Sequence, residues 1–208
     1  MKLFEGYSRG KEKRMDKFYF EIPDIGRKEA AIDYINEFHE YGSDINGSGG
    51  LRKFPDDYEG WLAKLEKESH RIPDENRVPS RTYFLVRSSD ERIVGMINIR
   101  LALNERLKKF GGNIGFSIRP TERGKGYNKI NLYLGLKVCQ KYGITTVLMD
   151  ADADNPASWR TMEALGGKRI REFYDEENAH CMVRDYEIEV NESIDNFSCV
   201  YEPVVEYK

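Results

Sequence analysis

The stretch Ser117-Ile118-Arg119-Pro120-Thr121-Glu122-Arg123-Gly124-Lys125-Gly126-Tyr127-Asn128 decides how the rest of this chain reads. It lies between a strand-like segment, Asn113 to Ile118, and a helical pattern from about Tyr127 to Tyr142. In that helix Tyr127, Ile130, Leu134 and Val138 share a face, and Gly143 is the stop residue. At such a joint several backbone N–H groups lack an intrahelical partner, and the helix dipole favours negative charge. Gly124 and Gly126 let an anion approach the backbone, while Arg123 and Lys125 bring positive charge beside it. The expected ligand group is a phosphate or pyrophosphate. The alternative is a tight, solvated turn with no ligand.

Spacing narrows the ligand. A Walker-type loop needs Gly, four residues and then Gly-Lys-Ser/Thr, which Gly124-Lys125-Gly126 does not supply. The dinucleotide fingerprint Gly-x-Gly-x-x-Gly fails at its third glycine, where Lys129 stands. An acyl-carrier nucleotide with a pyrophosphate, coenzyme A, remains.

Outward from the loop, Thr145 to Asp150 reads as the next strand. Strand, helix and strand with short joints predict a βαβ unit with two parallel strands. Asn155-Pro156 opens another helix, with an Asn cap and Pro at its first position, and Gly166-Gly167 closes it. Strands are expected around Lys168 to Tyr174 and Cys181 to Val190. Upstream, Thr82 to Arg87 and Arg92 to Arg100 flank the turn Ser88 to Glu91, a hairpin signal. Two amphipathic helices precede it, one marked by Ala31, Tyr34, Ile35 and Phe38, the other by Tyr58, Trp61, Leu62 and Leu65. Asp56 or Asp57 can cap the second. Phe18 to Ile22 is a candidate first strand. Residues 1–17 are a basic lead-in, and residues 191–208 are an extension whose position the pattern does not give.

The composition bounds the class. At roughly 150 residues per domain, 208 residues suggest one domain of about 18–190 with trimmings. The net charge of −3 argues against nucleic acid as the main partner and is compatible with a cationic small molecule or basic peptide. Cys139, Cys181 and Cys199 are too few and scattered for a disulfide framework or a zinc site. No apolar run approaches the roughly 18 residues of a membrane span, and Met1 to Lys17 lacks the apolar core of a secretory signal. The expectation is a soluble cytoplasmic protein without a metal.

Read in order, Gly111 through Pro120, the Arg123-Gly124-Lys125-Gly126-Tyr127 loop, Asn155 and Gly166 resemble the GNAT superfamily of acyl-CoA-dependent N-acyltransferases. The segments around Glu37-Phe38, Ile45 to Leu51 and Val94 to Arg100 resemble one uncharacterised bacterial branch of it. The resemblance covers about Phe18 to Val190. It implies an α/β, GNAT-like fold: a mixed, mostly antiparallel sheet with a splayed parallel pair and helices on both faces. It also implies an acetyltransferase that uses acetyl-CoA as co-substrate. Phe116, Ser117 and Ile118 would bond the pantetheine arm through their main chain and position the thioester. Arg123, Gly124, Lys125, Gly126, Tyr127 and Asn128 would wrap the pyrophosphate, and Asn155 and Ser158 would touch the cofactor arm. The acceptor would be a small-molecule or peptide amine, with no membrane involved and a homodimer allowed.

Two positions depart from the family pattern. Asn128 stands where Gly or Ala is usual, and its side chain must turn away from the phosphates or donate to them. Met162 stands where a Tyr often protonates the departing thiolate, and a thioether donates no proton. These departures motivate a rival reading, a non-catalytic acyl-CoA sensor. A third reading uses the basic lead-in to bind RNA.

Other candidates are weaker. Glu37 is a candidate base, set against an ordinary helix carboxylate. His39 and His70 read as solvated, and His180 as a turn residue. Asp150, Asp152 and Asp154 lack the Gly and distal Glu of a calcium loop. Asn46 to Gly50 reads as a flap between the first two helices, with a phosphate nest as the alternative; the resemblance puts that region beside the acceptor pocket. Asn98 and Arg100 face either the acceptor or the opposite side of the sheet; alternation alone does not choose. Cys139 and Cys181 read as buried thiols, and Trp61 and Trp159 as core.

Overall fold

The computed structural model describes residues 16–177 and 180–208. The lead-in expected over residues 1–17 therefore lies almost entirely outside the described residues. Two sheets form. The first has the order β1 (Phe18–Glu21), β2 (Ser80–Arg87), β3 (Arg92–Arg100) and β4 (Ile114–Ile118). The second has the order β5 (Thr146–Asp152), β7 (Cys181–Glu189) and β6 (Lys168–Asp175). Every ladder is antiparallel.

The helices are α1 (Lys28–Glu40), α2 (Tyr58–Ser69), α3 (Glu105–Lys109), α4 (Tyr127–Lys141), α5 (Pro156–Glu163) and α6 (Val190–Tyr201). Local chemistry sets their starts. The Asp57 carboxylate accepts from the Gly60 N–H at 2.9 Å to cap α2. Asn155 Oδ1 caps α5 from the Ser158 N–H, and Asn104 does the same for α3. The short α3 lies in a segment that reads only as polar in sequence.

The alternation of β2 and β3 sorts two cores onto two faces of the first sheet. Leu85, Ile97 and Ile99 pack against α4, whereas Phe84, Val86 and Met96 pack against α1 and α2. Val94 is an extra residue between Ile93 and Gly95, opposite Val86 and Leu85, and this bulge shifts the phase of β3. Tyr34, Phe38 and Trp61 are buried, as the helical stripes predict, and Leu62 and Leu65 pack at the margin.

Helix α4 is buried on more than the expected stripe. Leu132, Tyr133, Leu136 and Cys139 are fully enclosed, in addition to Ile130 and Leu134. The reason is α6, formed by the segment that the pattern left unplaced. It brings Ile194 and Tyr201 into the same core, Tyr133 donates to Glu202 at 2.8 Å, and Val205 bridges to Phe18.

The expected parallel pair is β4 and β5, joined through α4. They do not zip together. The Asn113 N–H donates to the Leu148 carbonyl at 2.7 Å, and the Leu148 N–H donates to Asn113 Oδ1 at 2.9 Å. Beyond that point no ladder joins the described strands, so each keeps an open edge toward the other. Gly112 permits this close approach: it sits at φ +48, and a Cβ there would lie 2.0 Å from the Leu148 oxygen.

Candidate functional site

The glycine-rich joint has the backbone geometry of an anion cradle. Pro120–Glu122 is one turn of 3-10 helix, Arg123 is extended, and Gly124 and Gly126 sit at φ +76 and φ +82. The first main-chain bond of α4 runs from the Lys129 N–H to the Gly126 carbonyl at 3.1 Å. Among the described residues, no acceptor meets the N–H groups of Gly124 through Asn128. The first turn of α4 holds no acidic residue, and a Cβ on either glycine would meet nothing within 4 Å. Open space and free donors thus coincide at the positive end of a 15-residue helix.

The loop's two cations do not point freely outward. Arg123 folds back toward α1: its guanidinium donates to Ser43 Oγ at 2.8 Å and to the Ile118 carbonyl at 3.2 Å, and covers the Phe38 ring. Lys125 pairs with Glu122 at 2.7 Å. The attraction for an anion therefore falls mainly on the backbone.

A buried ion network pins the loop from below. Glu122, 2% exposed, also pairs with Arg87 at 2.8 Å and Arg92 at 3.1 Å. Glu37 takes Arg92 at 3.2 Å and Arg119 at 2.9 Å, and accepts from the Thr121 N–H and hydroxyl, each at 2.8 Å. Arg119, 1% exposed, also reaches Asp33 and the Ile93 carbonyl. Burial pushes the Glu37 carboxyl up, but the Thr121 and Arg119 hydrogen bonds outweigh it and hold it below its ordinary value. Glu122 is likewise lowered, with Lys125 and Arg87 overcoming burial. The geometry gives Glu37 the work of an anchor: both its oxygens are engaged and its carboxyl is held below its ordinary value. Arg119 and Glu122 were legible only as loop charges, because nothing in the spacing shows that they are buried.

The open edge of β4 faces the gap toward β5. The Arg119 N–H bonds the Val94 carbonyl and the Arg100 N–H bonds the Asn113 carbonyl. Alternation in an antiparallel ladder then turns the main chain of residues 115, 117 and 119 toward β3, and that of 114, 116 and 118 away from it, while Asn113 gives β3 its carbonyl and β5 its N–H. Of the expected trio, Phe116 presents its main chain to the gap and Ile118 its N–H, the Ile118 carbonyl being taken by Arg123. The main chain of Ser117 is used by β3. Its hydroxyl is 3.0 Å from the buried Tyr34 hydroxyl.

On the far side, Asn155 is exposed and caps α5, with Ser158 half-buried one turn on. Asn128 turns away from the loop and donates to Thr161 Oγ1 at 3.3 Å, tying α4 to α5. Met162 is 1% exposed and packs in the main core, so that position supplies no proton donor.

A cavity of about 400 Å³ opens on the α1–α2 face of the first sheet. Asn98, Arg100 and Gly115 form its floor; the flap Ile45 to Gly50, with Arg52, Lys53, Lys64 and Glu68, forms its walls. The tertiary structure thus chooses the face of Asn98 and Arg100. Asn98 Nδ2 donates to Thr82 Oγ1 at 2.9 Å, and Arg100 Nη1 holds the Gly111 and Gly112 carbonyls at 2.6 and 2.7 Å.

The remaining candidates scatter. His39, His70 and His180 are exposed. Asp150 is raised by burial and accepts from the Gly111 N–H at 2.6 Å. No three His, Cys, Asp or Glu residues among those described are placed to hold a metal, and no described helix is long and apolar enough to cross a membrane. Burial pushes the Cys139 thiol up to about 12. Cys181 is only half-buried and Cys199 is exposed. Trp61 is fully buried, and Trp159 packs at the core margin.

Residues 28–168 match the family described as Acetyltransferase (GNAT) domain. Among solved structures, the spermidine/spermine N-acetyltransferase SpeG from Vibrio cholerae is similar at TM-score 0.59, with 12% identity over 86% of this chain and 98% of that one. Ribosomal-protein-S5-alanine acetyltransferase from Vibrio fischeri is similar at TM-score 0.64, with 13% identity over 83% and 93%. Mycobacterium smegmatis RimJ in complex with CoA-disulfide gives TM-score 0.65 and 12% identity over 86% and 87%. No protein of curated function matches the sequence. At these identities the structural likeness speaks for the fold, and the family match carries the class: this chain belongs to the GNAT acetyltransferase family and is an acyltransferase.

Proposed function

We propose that this protein transfers an acetyl group from acetyl-CoA to a primary amine by direct attack in a ternary complex. One observation carries the reading: five consecutive unpartnered N–H groups, Gly124 to Asn128, lie beside the open edge of β4. Diphosphate fits the first and an extended amide-bearing arm fits the second. When bound, the co-substrate supplies an acyl group activated as a thioester.

The chain's own residues do the rest. The N–H groups of Gly124 to Asn128 hold the diphosphate in open space that side chains would fill. Main-chain groups of Phe116 and Ile118 pair with the arm as an added strand would. A main-chain N–H aimed at the thioester carbonyl stabilises the charge that develops on its oxygen, and losing one such donor costs about 3 kcal/mol of barrier. Asn155 and Ser158, at the head of α5, flank the arm. The acceptor enters from the cavity above Asn98 and Gly115, which fixes both reactants in one slot. The ammonium must lose a proton before it attacks, and that proton passes to water at the open cavity; with Met162 in the core, the thiolate leaves unprotonated by that position and takes its proton from water, which a weakly basic thiolate tolerates. The cytoplasm is the proposed location.

The test is thermal protection by acetyl-CoA together with release of free thiol over an amine panel. At 100 times its dissociation constant the ligand adds about 2.7 kcal/mol of stability. Gly126→Glu, which puts a carboxylate among the free N–H groups, abolishes the protection. Unaltered protection in that variant would sink the loop assignment. The buried Met162 also motivates the second reading, an acyl-CoA sensor: it predicts the same protection with no thiol released from any amine.

A further inference from the structure

The 400 Å³ cavity is the size of a small-molecule site. Its lining carries four cations, Arg52, Lys53 and Lys64 in the walls and Arg100 in the floor, and one carboxylate, Glu68. Glu68 is already engaged by Lys64 at 2.8 Å, and Lys64 also donates to the Gly49 carbonyl at 2.8 Å. Among the described residues Arg52 has only the fully exposed Asp44, at 3.8 Å. Neither Lys53 nor Arg100 has an ion-pair partner among the described residues. Arg100 spends one nitrogen on the Gly111 and Gly112 carbonyls and lies in the field of the buried Asp150 carboxylate, which offsets part of its charge and leaves Lys53 and Arg52 as the more available cations. The cavity is therefore basic inside a protein whose net charge is −3.

The floor supplies the other half of a recognition pattern. Gly115 is the neighbour of Phe116, whose main chain faces the proposed thioester slot. Asn98 uses its amide nitrogen on Thr82 and Ser80, so what it keeps for a ligand is its carbonyl oxygen, an acceptor for an ammonium N–H. A cation at every site of the cavity is excluded by like-charge repulsion from the walls. We infer, resting on the transfer reading above, that the acceptor is a small primary amine carrying a carboxylate or phosphate at its far end, with the oxyanion held by Lys53 and Arg52. A polyamine is the wrong ligand for these walls.

The test uses the full chain saturated with coenzyme A and calorimetric titration with four probes: O-phosphoethanolamine, β-alanine, ethanolamine and spermidine. The expected result is that one or both anionic amines bind at least about tenfold tighter than ethanolamine and spermidine, with affinity falling as salt rises. The two anionic arms separate phosphate from carboxylate. Lys53→Glu, at an exposed position, removes about tenfold of that preference without touching the fold. Spermidine or ethanolamine binding as tightly as the anionic amines overturns the inference, as does indifference to Lys53→Glu, or no binding of any probe. A peptide with an acidic N-terminal sequence outbinding all four overturns its small-molecule part. If coenzyme A itself fails to bind, the transfer reading falls, and the same titrations of the unliganded chain with and without Lys53→Glu still decide the inference.

Discussion

Gly47 rests directly on Gly115: a Cβ on Gly47 would lie 2.3 Å from the Gly115 carbonyl oxygen and 2.6 Å from Phe116 Cα. Gly47 also sits at φ +70, a left-handed conformation that costs any other residue more. The contact joins the α1–α2 loop to β4 and makes the loop a wall of the cavity. Gly47→Val must lift that wall. The expected outcome is an acceptor KM raised on the order of tenfold, with a smaller loss of acetyl-CoA affinity, because the displaced Phe116 main chain is proposed to pair with the arm while the glycine turn proposed to take the diphosphate lies beyond the other end of β4. Steady-state kinetics with each substrate varied in turn check it, and an unaltered acceptor KM refutes it.

Glu122 is the carboxylate on which three cations converge beneath the loop. Glu122→Ala leaves Arg87 without its buried partner and frees the Pro120–Glu122 turn. A buried pair broken on one side costs about 3–5 kcal/mol, and the Asp90 carboxylate that Arg87 retains holds the loss to the low end of that range. Urea denaturation should report a loss of that order, and acetyl-CoA protection should weaken with it.

The same network sets an acid limit. Glu37 and Glu122 are both held below their ordinary values in the folded state. Their contribution is complete above the unfolded carboxylate value, about 4.3, and is lost as pH falls from there through the lower folded values. Stability therefore drops with falling pH in that window. Glu37→Gln, which cannot titrate, should lower stability at neutral pH and flatten the acid limb. Parallel acid limbs for the two proteins would remove Glu37 from the account.

Lys125 reads from sequence as a phosphate ligand, yet its ammonium is paired with Glu122. Lys125→Ala should weaken acetyl-CoA binding by only a few fold, far less than Gly126→Glu. A loss as large as that of Gly126→Glu would show that the lysine swings over to the diphosphate.

Met162 is a packing residue in this account. Met162→Leu conserves volume and should cost under about 1.5 kcal/mol while leaving kcat within about twofold. A large fall in kcat with stability retained would place that position in the chemistry.

Much of this protein was legible before any fold was seen. The helices show because Tyr34, Phe38 and Trp61 recur at the helical period, and the caps show because Asp57 and Asn155 are residues that accept from a free N–H. The open turn proposed to take the diphosphate shows because Gly124 and Gly126 stand where a left-handed backbone opens a helix. These are local properties, fixed by neighbours within a turn or two of the chain. α6 escaped because its apolar face has meaning only against α4, which is distant in sequence.

What the tertiary structure alone decided is which charges are buried and which way they face. Whether Asn98 and Arg100 look into a cavity depends on the bulge at Val94 and on what covers each side of the sheet. That Glu37 is an anchor depends on Arg119 and Thr121 arriving from more than eighty residues away. A charge's role is set by the dielectric and the partners around it, and those are assembled only when remote segments meet.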